Sequence, residues 1–248
     1  MFNFFAEEKN KTSDGYYIDG KDYNHIKNVL RMREGDALLV SFVGKSDLCE
    51  ICSFDEDRVV LKLISANYIC TELPIEITLF QGLPKSDKFE LIIQKTVELG
   101  VKEIYPVEMK NCVMKLDDKK KEGKVARWQS ISEAAAKQSK RNIVPKINNV
   151  INLKSILEIS KELDMLLVPY ENENGMKSTA KVLKEIKSGM RIGVVIGPEG
   201  GFDDKEIDFL VDGGAVAVSL GKRILRTETA AITSVGMIML SAELGSEV

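Results

Sequence analysis

The sequence predicts an α/β protein in two parts: a small β-rich unit over residues 1–72, then a mostly parallel sheet with helices on both faces over residues 73–248. Two observations carry this. Strand-like runs broken by turn residues surround one short helical stretch in the first part, and from Leu73-Pro74 onward strand and helix patterns alternate. At 248 residues the chain is long enough for two hydrophobic cores.

In the first part, "GKDYNHIKNVLRMREGD" holds the helix, which ends near Met32 before Glu34-Gly35-Asp36. "DALLVSFVG", "DLCEICSF" and "DRVVLKLISANYIC" have strand composition, and short strands around one helix suggest a small barrel. In the second part, "PIEITLFQGL" reads as a buried strand. "SDKFELIIQKTVELG" opens a helix with Asp87 and Glu90 as its capping box, Phe89, Ile92, Ile93 and Val97 as its apolar face, and Gly100 as its stop. Strand "VKEIYPVEM" precedes a long helix through "KVARWQSISEAAAKQSK", where Trp128, Ile131 and Ala135 form a core stripe. Helix "LKSILEISKEL", strand "MLLVPY", helix "STAKVLKEIKS", strand "RIGVVIGP", helix "DDKEIDFLVDGG", strand "AVAVSLG" and a last long helix complete the chain.

Composition narrows the function. The net charge of −3 does not mark a nucleic-acid binder, but between Lys110 and Arg141 ten Lys/Arg stand against four Asp/Glu, a local charge of +6. Such a stretch is a phosphate-contacting face or simply a solvated helix surface. No apolar run approaches the ~20 residues that span a bilayer, and "MFNFFAEEKNK" lacks the pattern of a secretory signal. Four scattered cysteines suit a reducing, cytoplasmic setting. Cys49 and Cys52 form a C-x-x-C, yet on a strand they point to opposite faces and no second pair exists, so no metal is expected. His25, the single histidine, sits on the short helix, where a local hydrogen bond or cap would occupy it.

The chemistry gathers at strand ends. "IGVVIGPEGGF" runs a strand into Gly197-Pro198-Glu199-Gly200-Gly201, and ligands of parallel sheets sit beyond the carboxyl ends of strands. Asp203 then caps the next helix with Glu206. The spacing is neither the dinucleotide fingerprint nor a phosphate loop; a ligand loop and a bare tight turn both remain open. "AVAVSLG" runs into Gly221 in the same way, and two such junctions side by side would make one crevice. A third strand end lies at Pro169-Tyr170-Glu171. Backbone groups of these loops suit the edge of a flat base such as adenine, with Leu220, Ile224 and Leu225 over its faces.

Together "GPEGGF", "LGKRILRTETA", "KFELIIQKTVELGV", "RWQSISEAAAKQSKR" and "HIKNVLRMREGD" resemble the RsmE-type ribosomal RNA methyltransferases of the SPOUT superfamily. The match covers nearly the whole chain in order. It implies a PUA-like RNA-binding β-barrel over 1–72 and, over 73–248, a methyltransferase domain of α/β-knot type with a C-terminal trefoil knot. It also implies a homodimer that uses S-adenosyl-L-methionine to methylate N3 of one uridine in 16S ribosomal RNA of the small subunit. The cofactor would lie against Pro169, Tyr170, Glu171, Ile196, Gly197, Pro198, Gly200, Gly201, Leu220, Gly221, Ile224, Leu225 and Thr227, the last equally placed to cap its helix.

In that reading Arg226 favours the uracil anion or grips a phosphate, and Glu228 and Glu199 are candidates for the base that takes the N3 proton. The structural alternative for Arg226 is a buried ion pair with Glu228 or Glu199. Candidates to hold RNA are Arg31, Arg33, Lys137, Gln138, Lys140 and Arg141. The chain departs from the family's pattern at Asn3, where a basic residue is usual, and at Lys110-Asn111-Cys112, where Glu-Arg-Ser is common. A non-catalytic RNA-binding ribosome-assembly factor that keeps the fold is the competing reading.

Overall fold

The structure, a computed structural model, describes residues 1–114, 116–170 and 175–246. The chain divides into two units: Met1–Glu72 with Ala136–Val144, and Leu73–Ala135 with Pro145–Val248.

The first unit contains β1 (Asn3–Phe5), β2 (Gly15–Asp19), α1 (Gly20–Asn24), β3 (Ala37–Phe42), β4 (Lys45–Phe54) and β5 (Arg58–Ile69). Its sheet has the order β1-β3-β4-β5-β2. Side chains alternate across each strand, so Leu38 and Val40, Cys49 and Ile51, and Val59 and Leu61 face one core with Phe4, Tyr16 and Ile18. Register shifts between β4 and β5 curl the sheet around that core. α1 continues into a π-helical turn at His25–Val29, which seats Ile26 in the core and sets the ring of His25 edge-on to Phe4. Cys49 is buried and Cys52 exposed, on opposite faces as expected for a strand. Burial, with Asp47 adding to it, pushes the Cys49 thiol up to about 12, which keeps it protonated.

Residues 136–144 are sewn into this unit by buried polar contacts. Asn3 is buried; its Nδ2 donates to the Arg141 carbonyl at 2.9 Å. Asn142 donates from Nδ2 to Ser46 Oγ at 2.7 Å and from its backbone to Glu72 Oε1 at 2.7 Å. The Arg141 guanidinium, 3% exposed, pairs with Glu72 at 2.6 Å. Arg141, expected from the sequence to hold RNA, has its charge paired inside the unit.

The second unit is built on β6 (Glu76–Gly82), β7 (Glu103–Glu108), β8 (Lys146–Ile147), β9 (Ile151–Asn152), β10 (Met165–Pro169), β11 (Arg191–Ile196) and β12 (Val216–Val218). Its helices are α2 (Ser86–Glu98), α3 (Asp118–Ser139), whose last residues group with the first unit, α4 (Leu153–Ser160), α5 (Gly175–Lys184), α6 (Asp204–Asp212) and α7 (Thr227–Ser246). All its strand pairs are parallel, in the order β12-β10-β11-β6-β7-β8, with β9 also on β7. The central strands β6 and β11 are almost wholly buried, as expected for strands covered on both faces. Because β10 lies between β11 and β12, the two glycine junctions are not adjacent as expected; the Pro169-Tyr170 strand end separates them.

Local signals held unevenly. Gly100 ends α2 with φ +99°, and Asp203 with Glu206 closes the capping box of α6. The capping box expected from Asp87 and Glu90 does not form. α2 starts at Ser86, so Asp87 falls within the first turn, and Glu90 instead binds the Arg127 guanidinium at 2.7 and 3.0 Å. Trp128 is fully buried, its ring 4.4 Å from Phe89 in an edge-on arrangement, so the stripe is core. Among the described residues no helix is long and apolar enough to cross a membrane.

The burial of Arg141 makes a stability prediction. Glu72→Ala would remove the carboxylate that pairs with the buried Arg141 guanidinium, and breaking such a buried pair costs about 3–5 kcal/mol. Urea unfolding should show a loss of that order; a loss below about 1 kcal/mol would mean that solvent reaches Arg141.

Candidate active site

In the second unit the parallel strands bring four chain reversals to one edge of the sheet. These are Gln81-Gly82 after β6, Pro169-Tyr170 after β10, Gly197–Gly201 after β11 and Ser219–Arg226 after β12. β6 and β11 end in step, with Ile196 opposite Gln81. Glycine permits the crowding there: a Cβ on Gly82 would stand 2.7 Å from Pro198, and one on Gly200 would stand 2.9 Å from the Asn111 Cβ. Gly201 and Gly221 have φ of +71° and +106°, in the left-handed region, and open space where their Cβ atoms would be.

These loops line an open cavity of about 640 Å³, walled by Lys88, Pro169, Tyr170, Ile196, Gly197, Pro198, Glu199, Gly200, Gly201, Phe202, Ile224, Leu225, Arg226, Thr227 and Ala230. A second cavity of about 180 Å³ shares Pro169, Tyr170, Ile224, Leu225 and Ala230 with it and adds Ser219, Leu220, Gly221 and Arg223. Every sequence-derived pocket residue lines one of the two except Glu171, which lies outside the described residues. Ile224 is 96% exposed, so it overhangs the cavities instead of packing in the core.

Beneath the cavity a buried network joins three segments. Gln81 Nε2 donates to the Gly82 carbonyl at 2.9 Å and to Thr227 Oγ1 at 3.0 Å, and Thr227 Oγ1 donates to the Gly197 carbonyl at 2.6 Å. Thr227 thus ties the start of α7 to the end of β11. Among the described residues Gln81 Oε1 finds no hydrogen-bond partner, though it is buried. On the smaller cavity's side, Thr179 Oγ1 accepts from the Ser219 backbone N–H and donates to the Ser219 carbonyl, both at 2.9 Å.

The charged groups meet at Lys88. Its ammonium lies 3.5 Å from Glu199 Oε1 and 3.6 Å from Glu228 Oε2. Glu199 Oε1 also accepts from the Lys85 backbone N–H at 3.0 Å. Burial works against the charged form of Glu199, but that N–H and the Lys88 cation outweigh it and hold the carboxyl below the usual range. Arg226 is exposed and, among the described residues, forms no ion pair; Lys88 takes the place that the structural alternative gave to Arg226.

The departing stretch at 110–112 supports the glycine loop. The Lys110 ammonium pairs with Asp203, its backbone N–H donates to Glu206 Oε1 at 2.8 Å, and Asn111 Nδ2 donates to the Gly200 and Gly201 carbonyls at 3.3 and 3.2 Å. The candidates to hold RNA all belong to the first unit. Arg31, Arg33, Gln138 and Lys140 are exposed there, Lys137 pairs with Asp22 at 2.8 Å, and Arg141 is buried. Lys88 and Gln81 went unrecognised in the sequence. The signal for Lys88 was its place in the first turn of the helix that follows a buried strand; Gln81 could be noticed only as a polar residue at the end of an apolar strand.

Residues 71–239 match the family described as RNA methyltransferase domain, and residues 18–64 match the RNA methyltransferase PUA domain. A Bacillus subtilis protein named ribosomal RNA small subunit methyltransferase E is 37% identical over 92% of this chain and 91% of its own length. A Mesomycoplasma hyopneumoniae protein of the same name is 35% identical over 94% and 96%. The crystal structure of a Neisseria gonorrhoeae ribosomal RNA small subunit methyltransferase E bound to S-adenosyl methionine superposes with a TM-score of 0.80, at 29% identity over 97% of both chains. The chain belongs to the ribosomal RNA small subunit methyltransferase E family.

Thr227→Val removes the hydroxyl that both accepts from Gln81 and donates to Gly197. Leaving buried partners unsatisfied costs about 1–3 kcal/mol, and urea unfolding should register it. A neutral substitution would mean that water replaces the hydroxyl.

Proposed function

We propose that this protein transfers the methyl group of S-adenosylmethionine to N3 of one uridine in the 16S RNA of the small ribosomal subunit. The observation that carries the reading is the glycine-walled cavity pair at the carboxyl edge of the parallel sheet, with Lys88, Glu199 and Arg226 on its wall and Glu228 paired to Lys88. The residues fit the cofactor. Gly201 and Gly221 leave space beside their backbones that any Cβ would fill, a cradle for a ligand that approaches the main chain closely. Leu220, Gly221, Ile224 and Leu225 would hold the adenine, and Ile196 to Gly201 with Thr227 the remainder.

When bound, S-adenosylmethionine supplies an electrophilic methyl group on a sulfonium. The chain's own residues must present N3 in line with it and remove the N3 proton, since neutral uracil is a poor nucleophile there. Arg226, without an ion pair among the described residues and lining the cavity, is placed to favour the uracil anion or to grip an adjoining phosphate. Glu228 and Glu199 are the candidate bases. N3 lies on the Watson–Crick edge, so the target base must be unpaired or turned out of its stack.

Residues 1–72 would serve as a PUA-like RNA-binding barrel and 73–248 as the methyltransferase domain, with the segment from β12 into α7 threaded as a trefoil knot. The enzyme would act as a homodimer in the cytoplasm. Phosphate contacts would come from Arg31, Arg33 and Lys140, with Gln138 beside them and Lys137 once released from Asp22.

The test is transfer of labelled methyl from S-adenosylmethionine to unmodified small ribosomal subunits, with the product mapped by nuclease digestion and mass spectrometry. A single 3-methyluridine in the small-subunit RNA is the expected result, and absence of transfer to subunits or free RNA would overturn the reading. Arg226→Ala should keep cofactor affinity and lower turnover by roughly 10²–10³-fold; near-normal turnover would remove Arg226 from the mechanism.

A further inference from the structure

We propose that Gln81 is a positioning residue for the cofactor: acting through the Thr227 hydroxyl, its buried amide holds Gly197 and Thr227, two walls of the larger cavity, at the separation that S-adenosylmethionine requires. The proposal rests on the functional reading above and deepens it. Gly197 and Thr227 line the cavity, and Gln81 lies beneath them without lining it. Any effect of Gln81 on a ligand must therefore pass through the groups it holds.

The hydrogen bonds fix the direction of that relay. Gln81 Nε2 stands among three acceptors: the Gly82 carbonyl at 2.9 Å, Thr227 Oγ1 at 3.0 Å and the Gly197 carbonyl at 3.4 Å. A carbonyl oxygen can only accept, so the NH₂ end of the amide must face this group. Thr227 Oγ1 accepts from that NH₂, which leaves its single proton for the Gly197 carbonyl at 2.6 Å. The residue after Gly197 is Pro198, which has no N–H to offer a competing bond.

Packing alone does not account for this amide. Gln81 is fully buried, next to Leu79 and Phe80 on β6, and among the described residues its Oε1 finds no donor. A buried acceptor without a donor costs stability, and an apolar side chain would fill the space without that cost. The amide earns its place through its other end, which ties the end of β6 to the end of β11 and the start of α7. Gly82 and Pro198 already touch, since a Cβ on Gly82 would stand 2.7 Å from the proline. The walls have no room to close further, so loss of the amide lets them move apart and loosens the pocket.

The experiment measures the dissociation constant and stoichiometry of S-adenosylmethionine by calorimetry. It compares wild type, Gln81→Met, Gln81→Asn, Thr227→Val, Thr227→Ser and the double variant Gln81→Met/Thr227→Val, with urea unfolding to establish that each is folded. Gln81→Met keeps the length and loses the donor; Gln81→Asn keeps an amide and loses the reach, and it carries the test if Gln81→Met does not fold. Each should weaken binding by roughly tenfold, the factor one hydrogen bond is worth, at wild-type stoichiometry. A merely structural role would lower the stoichiometry and leave the dissociation constant of the folded molecules unchanged. Thr227→Val should weaken binding as Gln81→Met does, and Thr227→Ser, which keeps the hydroxyl, should bind as wild type. The double variant should bind about as weakly as the weaker single one, because both changes break the same relay. Three results overturn the proposal: wild-type affinity in the folded Gln81 variant, losses that multiply in the double variant, or weak binding by Thr227→Ser with normal binding by Thr227→Val. The last would mean that the Thr227 methyl touches the ligand and its hydroxyl does not matter. A wild-type protein that binds no S-adenosylmethionine overturns the functional reading beneath the proposal.

Discussion

The side-chain amide of Gln81 is the constraint on which the site depends. It is fully buried at the end of β6, and its donor reaches both its own strand's turn and Thr227 at the start of α7. Thr227 passes the connection on to Gly197 at the end of β11. The three segments are far apart in sequence, and nothing in local propensity would bring them together. A buried amide must find partners or carry a desolvation cost of about 1–3 kcal/mol, so the network selects one arrangement of the loops over its neighbours. The close approach of Gly82 to Pro198 follows, since the two loops are drawn to a spacing that leaves no room for a side chain.

Electrostatics is built on that frame. With the loop after β11 fixed, Glu199 can accept from the Lys85 N–H, and with the start of α7 fixed, Glu228 falls within reach of Lys88. The first turn of α2 thereby joins the loop after β11 to the start of α7 by charge, much as Gln81 does by hydrogen bonding. Arg226, the neighbour of Thr227, stands on the cavity wall without an ion pair among the described residues.

What the sequence disclosed divides along the same line. Period and punctuation revealed most strands and helices of the second unit, because strands covered on both faces and helices with one apolar face announce themselves within a dozen residues. The glycine loops were legible for a similar local reason. The order of strands was not: β10 lies between β11 and β12 through long-range pairing that leaves no local mark. β1 and β2 were missed because each is short and lies at a sheet edge. The cap of α2 was misjudged because Asp87 and Glu90 have the right spacing, one residue inside the true start, while Arg127 claims Glu90 from 37 positions away. Lys88 and Gln81 escaped because their partners are side chains and backbone carbonyls that only the fold makes neighbours.

The basic stretch from Lys110 to Arg141 shows how far a charge count can mislead. By composition it is a candidate phosphate face. In the structure Lys110 pairs with Asp203, Lys121 with Glu108, Arg127 with Glu90, Lys137 with Asp22 and Arg141 with Glu72. Among the described residues at least five of these cations therefore already have carboxylate partners, and the stretch is divided between the two units. A paired cation contributes little to counterion release, because its own field is already neutralised. The case for phosphate contacts thus moves from the count to particular residues. Arg31 and Lys140 are exposed and hold their backbones at φ +54° and +58°, in the left-handed region that non-glycine residues rarely enter. Such a conformation persists only where the surrounding structure over-determines it, and its usual association is with ligand-contacting sites. Val43 and Asn67 of the same unit hold φ of +49° and +51° as well, so the conformation belongs to the turns of this unit and does not by itself mark Arg31 and Lys140 as RNA contacts.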